Sequence, residues 1–388
     1  MGAFVEIIKR ELKRLKDEKF LLLIMIVLPF LASIVLFQTF SKGSATDLPI
    51  AILDYDNSDI SRKLVRMVDS TPSVRVEYKL NDTQMAYNLV QQGDIYAFLV
   101  IPRNFKRDIS RNLTPNLAYY YNNQIILIGG ILTKDVQSAV LTFSGEVNAS
   151  LRMKKGMPKE AAKQKINIIR IDERLKGNPY MNYSYFLSFA GVAHTFQVFI
   201  LFFAIWAVGR EFREGTFKEW LSIADNSIIK AVFSKLTFYT IYFLFAMLFM
   251  YAVYYLVYKA PFEGNLFTLT LSTLLFIIAY EFVGVLFVSI LSNLRFSMSC
   301  GAFMASMGFS MAGMTYPVIA MPWFGKFYSA LLPIRPYVKV LIDQSLRGFA
   351  PKYDCIYLIW LLGFICLGML FLPLLKKHGM DEKLWYQI

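Results

Sequence analysis

Histidine and cysteine are scarce in this 388-residue sequence, and few of its carboxylates have a spacing that points to a reaction. Asp54-Tyr55-Asp56, followed by Asn57, Ser58 and Asp59, has the Asp-x-Asp form that can hold a divalent cation on a nucleotide sugar. The same residues suit a turn whose short polar side chains cap a helix beginning near Ile60, and this reading takes precedence. His194 and His378 are the only histidines and no Cys/His cluster exists, so a zinc or haem site is not expected. Cys300, Cys355 and Cys366 lie in or beside apolar runs without paired spacing and read as small packing residues. No Gly-x-x-x-x-Gly-Lys-Ser/Thr loop is present, so the chain is expected to bind no ATP of its own, and no other cofactor.

The remaining candidates lie within long apolar runs. Glu281 stands in one, and His194 with Gln197 one turn on in another. Ionisable groups at membrane depth are costly and commonly face a cavity or a partner, so these three residues either line a substrate path or form hydrogen bonds between helices.

The elements that must position them follow from composition. The chain is 56% hydrophobic, 16% aromatic and only 18% charged, too apolar for a soluble domain of this length. The net charge of +13 does not indicate nucleic acid, because the basic residues are scattered and flank apolar runs as interface anchors. A hydrocarbon core needs roughly 20 apolar residues in a helix. Six segments qualify: Phe20 to Phe40, Tyr183 to Val208, Leu236 to Tyr258, Leu266 to Leu291, Phe296 to Met321 and Ile356 to Leu375. Pro29, Pro317 and Pro373 are expected to kink their spans. The fold class is a polytopic α-helical membrane protein of six spans, with an α/β external domain inserted between spans one and two.

Residues 1–19 read as a cytoplasmic amphipathic helix, 20–40 as the first span, 41–182 as the external domain, 183–375 as a five-span domain, and 376–388 as a cytoplasmic tail. Lys and Arg clusters at the N-terminus, in the loop after the second span and beyond the sixth place both termini inside. Lys326, Arg335, Lys339, Arg347 and Lys352 disagree, falling on the outer side, where a re-entrant helix is an alternative. In the external domain, β-rich runs at Pro49 to Leu53, Val74 to Lys79, Tyr96 to Ile101 and Asn116 to Tyr121 alternate with helical patterns at Ile60 to Val68, Thr83 to Gln92 and Phe105 to Arg111. Helical pattern returns from Asn123 to Lys154, and the basic stretch Lys154 to Lys176 is expected to be a polar helix leading back to the membrane.

The most informative segment is Gly209-Arg-Glu-Phe-Arg-Glu-Gly-Thr-Phe-Lys-Glu-Trp-Leu221. Thr216 and Glu219 have the spacing of a capping box, which predicts a short helix beginning after Gly215. Phe217, Trp220 and Leu221 share one face of it, expected to be exposed and to dock into a partner's groove or lie on lipid headgroups.

Glu211, Glu214-Gly215-Thr216 and Glu219 resemble the Glu-x-x-x-Gly-Thr-x-Glu signature of type-2 ABC exporter permeases. Gly313 with Tyr316-Pro317 and Met321-Pro322, then Leu331-Leu332-Pro333, is similar to that family's motif after the fifth span, with Tyr316 in place of the commoner Phe. The resemblance covers nearly the whole chain. It implies that the segment near 210–223, with Glu211, Glu214, Gly215, Thr216, Phe217, Glu219, Trp220 and Leu221, is a coupling helix. Its partner would be a separate ABC ATPase subunit that holds the ATP and Mg. It also implies a second permease chain, identical or not, and a bacterial cytoplasmic (inner) membrane location, with a periplasmic adaptor left open. Gly301, Ala305, Gly308 and Ala312 form a small-residue side of the fifth span that suits close packing within the chain or between two chains.

The aromatic and methionine content of the spans suggests adaptable apolar surfaces, hence an amphipathic or lipid-like compound or drug as the exported substrate. A non-transporting receptor or assembly anchor of the same architecture is the alternative, and a membrane glycosyltransferase ranks below it. Membrane lipids are expected contacts and nucleic acid is not.

Overall fold

The computed structural model describes residues 2–124, 126–158, 182 and 184–386. The chain divides into two compact units, Met1–Gly43 with Leu175–Ile388, and Ser44–Arg174. The expected polar helix between Lys154 and Lys176 lies almost wholly outside the described residues.

Helix α1 (Gly2–Asp17) is amphipathic and buries Ile7, Glu11 and Leu15, one residue per turn on a single stripe. Helix α2 (Lys19–Thr39) has 21 residues, about 31 Å, with Pro29 inside it. Proline lacks the N–H that would bond the Met25 carbonyl four residues earlier. The hydroxyl of Tyr242, from a neighbouring helix, donates to that carbonyl at 2.8 Å, so the helix continues through the proline.

The second unit alternates strands and helices as its sequence rhythm predicts: β1 (Leu48–Asp54), α3 (Asp59–Asp69), β2 (Val74–Lys79), α4 (Thr83–Gln92), β3 (Ala97–Ile101), α5 (Phe105–Ser110), β4 (Ala118–Tyr121) and α6 (Ile126–Lys154). The sheet order is β2-β1-β3-β4, with β1 parallel to β2 and β3 and with β4 antiparallel to β3. Ile50 and Ile52 of β1 join a core containing Leu64, Val68, Phe105, Leu132 and Val136. Ala51 and Leu53 point the other way into a core containing Ala86 and Phe98. Helices therefore cover both faces, which is why the central strand is apolar throughout.

In the first unit, a π turn at Ser184–Ser188 leads into α7 (Phe189–Arg213), and α8 (Phe217–Ile223) and α9 (Ile228–Leu256) follow. Next come α10 (Leu266–Leu291), α11 (Leu294–Met311), α12 (Trp323–Ala330), α13 (Ile334–Ile342), α14 (Cys355–Leu370) and α15 (Leu372–Gly379). Among the described residues five helical segments are long and apolar enough to cross a membrane: α2, α7, α9, α10 and the α14–α15 pair.

The predicted fifth span is shorter than expected. Helix α11 has 18 residues, about 27 Å, and stops at Met311. Gly313 then takes a left-handed turn (φ +89°), so Pro317 lies beyond the helix and kinks nothing. The chain continues into the short helices α12 and α13, and α13 buries Ile334, Tyr337, Val338 and Leu341. The small residues of α11 face α7 of the same chain: a methyl on Gly301 would fall 2.6 Å from Ile205, and Gln197 occupies the space beside Gly308.

Candidate functional site

The end of α7 is shaped by its last turn. Glu214 closes the helix and Gly215 takes a left-handed conformation (φ +66°). The Gly215 amide donates to the Phe212 carbonyl at 3.3 Å and the Thr216 amide to the Glu211 carbonyl at 3.0 Å. This pair of bonds is a Schellman stop, which is what Gly-Thr at this place secures. The chain reverses and α8 begins at Phe217.

Glu211 is wholly buried and is the hub of an ionic cluster joining four helices. Arg10 of α1 grips it with both guanidinium arms, at 2.9 and 3.0 Å. Arg14 donates to it at 2.5 Å, and the Thr216 hydroxyl at 2.5 Å. Lys235 of α9, also wholly buried, pairs with Glu211, lies 2.8 Å from Glu11 and donates to the Ala207 carbonyl at 3.0 Å. Its ammonium sits 4.5 Å from the centre of the Trp220 ring. Around this centre Arg14 meets Glu214 at 3.4 Å, and Arg210 meets Glu214 at 2.6 Å and Glu18 at 2.8 Å. Buried charges persist only when paired and hydrogen-bonded, and here cations and carboxylates answer one another across α1, α7, α8 and α9. Burial alone would lower the Arg14 pKa, but Glu211, Glu11 and Glu214 outweigh it and hold the guanidinium above its ordinary value.

Two expectations about this segment are corrected. Thr216 is the residue before α8, but its side chain makes no capping bond to that helix. The hydroxyl instead donates to Glu211 and accepts from Arg14 at 3.1 Å, because charge-assisted bonds outcompete a neutral backbone amide. The face carrying Phe217, Trp220 and Leu221 is not exposed: the three are 0%, 0% and 1% accessible. Phe217 packs on the ring of Phe212 at 5.1 Å and fills the space beside Gly379 of α15. Lys218, Glu219 and Ser222 form the outward face. Lys218 pairs with Glu382 at 2.5 Å, and the Tyr386 amide bonds to the Phe212 carbonyl at 3.1 Å, so residues after α15 also hold α8.

Arg10, Arg14, Glu11 and Lys235 are functional candidates missed in the sequence. A readable signal was Glu11, a carboxylate interrupting the apolar stripe Ile7, Leu15. Lys235, just ahead of the predicted third span, lies inside α9.

His194 and Gln197 come together, the Gln197 amide nitrogen lying 2.8 Å from His194 Nδ1 and donating to the Ala305 carbonyl at 3.1 Å. The Tyr280 hydroxyl of α10 donates to the Gln197 oxygen, so Gln197 pins α7, α10 and α11 together. Glu281 lies apart, 1% accessible, and accepts from Thr240 of α9 at 2.7 Å. Of the motif after the fifth span, Gly313 makes the turn, Tyr316 is exposed, Pro317 precedes the single turn Val318–Ala320, Met321 is buried and Pro322 starts α12.

Asp54 and Asp56 are used by the fold. Asp54 accepts from the Asp56 and Asn57 amides at 3.1 and 3.0 Å and from the Ser61 hydroxyl at 2.6 Å. Asp56 accepts from the Lys106 amide at 3.1 Å, and Ser58 caps α3. Among the described residues no group of His, Cys, Asp and Glu is arranged to hold a metal ion.

The first unit is a bundle of long apolar helices whose buried ionic cluster supports the short helix α8. The chain belongs to the ABC-2 family of transporter proteins, whose family model matches residues 19–375. It is a multi-pass membrane component of an ABC transporter, a permease and not itself the catalyst. No curated protein and no solved structure is significantly similar to the chain.

Proposed function

We propose that this chain is the permease subunit of an ABC exporter, driven by a separate ATPase subunit that contacts α8 and carrying an amphipathic or lipid-like compound or drug. The observation that carries the reading is the anchoring of α8. A helix of seven residues has little stability of its own, yet α8 is held by the Schellman stop, the Glu211 cluster and the buried Phe217, Trp220 and Leu221. A push on Lys218, Glu219 and Ser222 is therefore passed to α1, α7 and α9 as a unit.

Six spans are supported by parity. Arg10 of α1 and Glu382 after α15 both pair with α8, which supports an even number of crossings. Among the described residues five helical segments are long and apolar enough to cross, and α11 is our candidate for the sixth. The basic residues of α1 and Lys376, Lys377 and Lys383 support our reading that this end is cytoplasmic and the α/β unit outside, and the resemblance to exporter permeases supports a bacterial inner membrane. A second permease chain completes the pathway.

The test is ATPase activity of the permease reconstituted with its ATPase, against a panel of amphiphiles, drugs and salts. Stimulation by amphiphiles is expected. Stimulation by a salt and by no amphiphile would reject the cargo, and no association with any ABC ATPase would reject the function.

A further inference from the structure

The basic residues between α11 and α14 contradict the charge rule for an outer loop, and their pairing is uneven. Lys339 and Arg347 both pair with Asp343, each at 2.8 Å. Lys326 and Arg335 have no carboxylate within ion-pair distance among the described residues. Arg335 is half-buried, donates to the Lys326 carbonyl at 3.5 Å and lays its guanidinium 4.8 Å from the centre of the Trp360 ring. Arg335 is thus tied to the main chain of Lys326, and neither cation has an anion among the described residues.

Trp360 lies near the start of α14, and α15, which continues α14, ends beside Phe217 of α8. Arg335 therefore sits at the membrane face opposite α8. Exposed Trp323, Phe324 and Phe327 surround Lys326 in sequence, and Trp323 is a side chain of the interfacial aromatic belt. One turn further along α14, Phe364 begins an apolar groove of about 540 Å³, lined also by Val283, Phe287, Phe303, Met304 and Leu331. From Trp360 to Leu367, also in its wall, is about 10 Å along the helix. Phe303 is 64% accessible, and α10 and the α14–α15 pair are long and apolar enough to cross a membrane, so in a bilayer the groove opens to hydrocarbon and not to water.

An apolar groove with Arg335 one helical turn from its edge and Lys326 on the helix that supplies Tyr328 to its wall, neither paired with a carboxylate among the described residues, has the charge and polarity of one ligand class. We propose that this groove holds an anionic phospholipid of the leaflet opposite α8, one acyl chain along Phe303 and Phe364 and the phosphate at Arg335 and Lys326. The lipid is resident on the outside of the bundle. The proposal needs the chain to span a membrane but is independent of the cargo and of the ATPase.

The test is native mass spectrometry of the detergent-solubilised full chain offered equal amounts of phosphatidylglycerol and phosphatidylcholine. The unaltered chain should retain phosphatidylglycerol preferentially. Arg335→Gln and Lys326→Gln should each weaken that retention about fivefold, the worth of one interfacial cation, and Arg335→Lys should keep it. Cys300 lies in the groove wall, so with Cys355 and Cys366 replaced by Ala, blocking it with a bulky maleimide should also expel the lipid. Equal retention of the two lipids, or phosphatidylglycerol surviving either the Gln changes or the blocked thiol, would overturn the proposal. A dimer lost on blocking Cys300, with no lipid bound before it, would give the groove to a second copy and overturn it likewise.

Discussion

Glu211 on α7 and Lys235 on α9 form an ion pair with both side chains wholly shielded from solvent, and the pair joins the second span to the third directly above α8. A pair of this kind contributes little net stability when intact but leaves an uncompensated charge when broken. Glu211 keeps Arg10 and Arg14 when Lys235 is replaced, but Glu11 loses its 2.8 Å partner, so Lys235→Met is expected to cost ~1–3 kcal/mol. Lys63→Met, which breaks an exposed pair with Glu146, should cost no more than about 1 kcal/mol. Denaturation of each variant in detergent compares them, and equal losses would show that burial of the cluster is not what matters.

Trp220 and Glu219 should separate folding from coupling. Trp220→Ala empties a fully buried site and should destabilise the chain by ~3–5 kcal/mol, reducing folded yield before any effect on the ATPase is seen. Glu219→Arg and Ser222→Trp alter the outward face and, apart from loss of the exposed Glu219–Arg10 pair worth at most about 1 kcal/mol, should leave the melting curve unchanged while abolishing co-purification of the ATPase. A Trp220→Ala protein of normal stability, or outward variants that still bind the ATPase and transport, would contradict this division.

Topology can be read with cysteines in a background lacking Cys300, Cys355 and Cys366. Asn88 and Asn148, both exposed on the α/β unit, should label from outside with an impermeant thiol reagent, and Ser222 only after permeabilisation. Ser61 would be a poor reporter, since it is buried against Asp54. Labelling of Ser222 from outside would invert the orientation.

Asp354, just ahead of α14, gives a pH-dependent expectation. Burial raises its pKa, the Gln344 amide opposes the shift and neighbouring Asp343 adds to it. A carboxyl whose folded pKa exceeds its unfolded value favours the folded state in its protonated form. That contribution is full below the unfolded pKa and is lost as pH rises through the folded one. Asp354→Asn should therefore raise the melting temperature at neutral pH and lose this advantage below about pH 4. A stabilisation independent of pH would mean that the carboxylate charge is not the cause.

By itself the sequence determined the membrane class, the apolar helices, the alternating α/β unit and the reversal at Gly215, because each rests on a local property. Twenty apolar residues need a bilayer, alternation needs a sheet, and a left-handed residue needs glycine. The ion partners of Glu211 were not legible, since Arg10 and Arg14 lie about 200 positions away and only packing of α1 against α7 and α9 brings them to it. The same packing decided that Phe217 and Trp220 face inward and that Thr216 bonds Glu211 and not its own helix. Periodicity states that a helix has an apolar face, but which surface covers that face is a property of the other elements, and here the chain's own helices cover it.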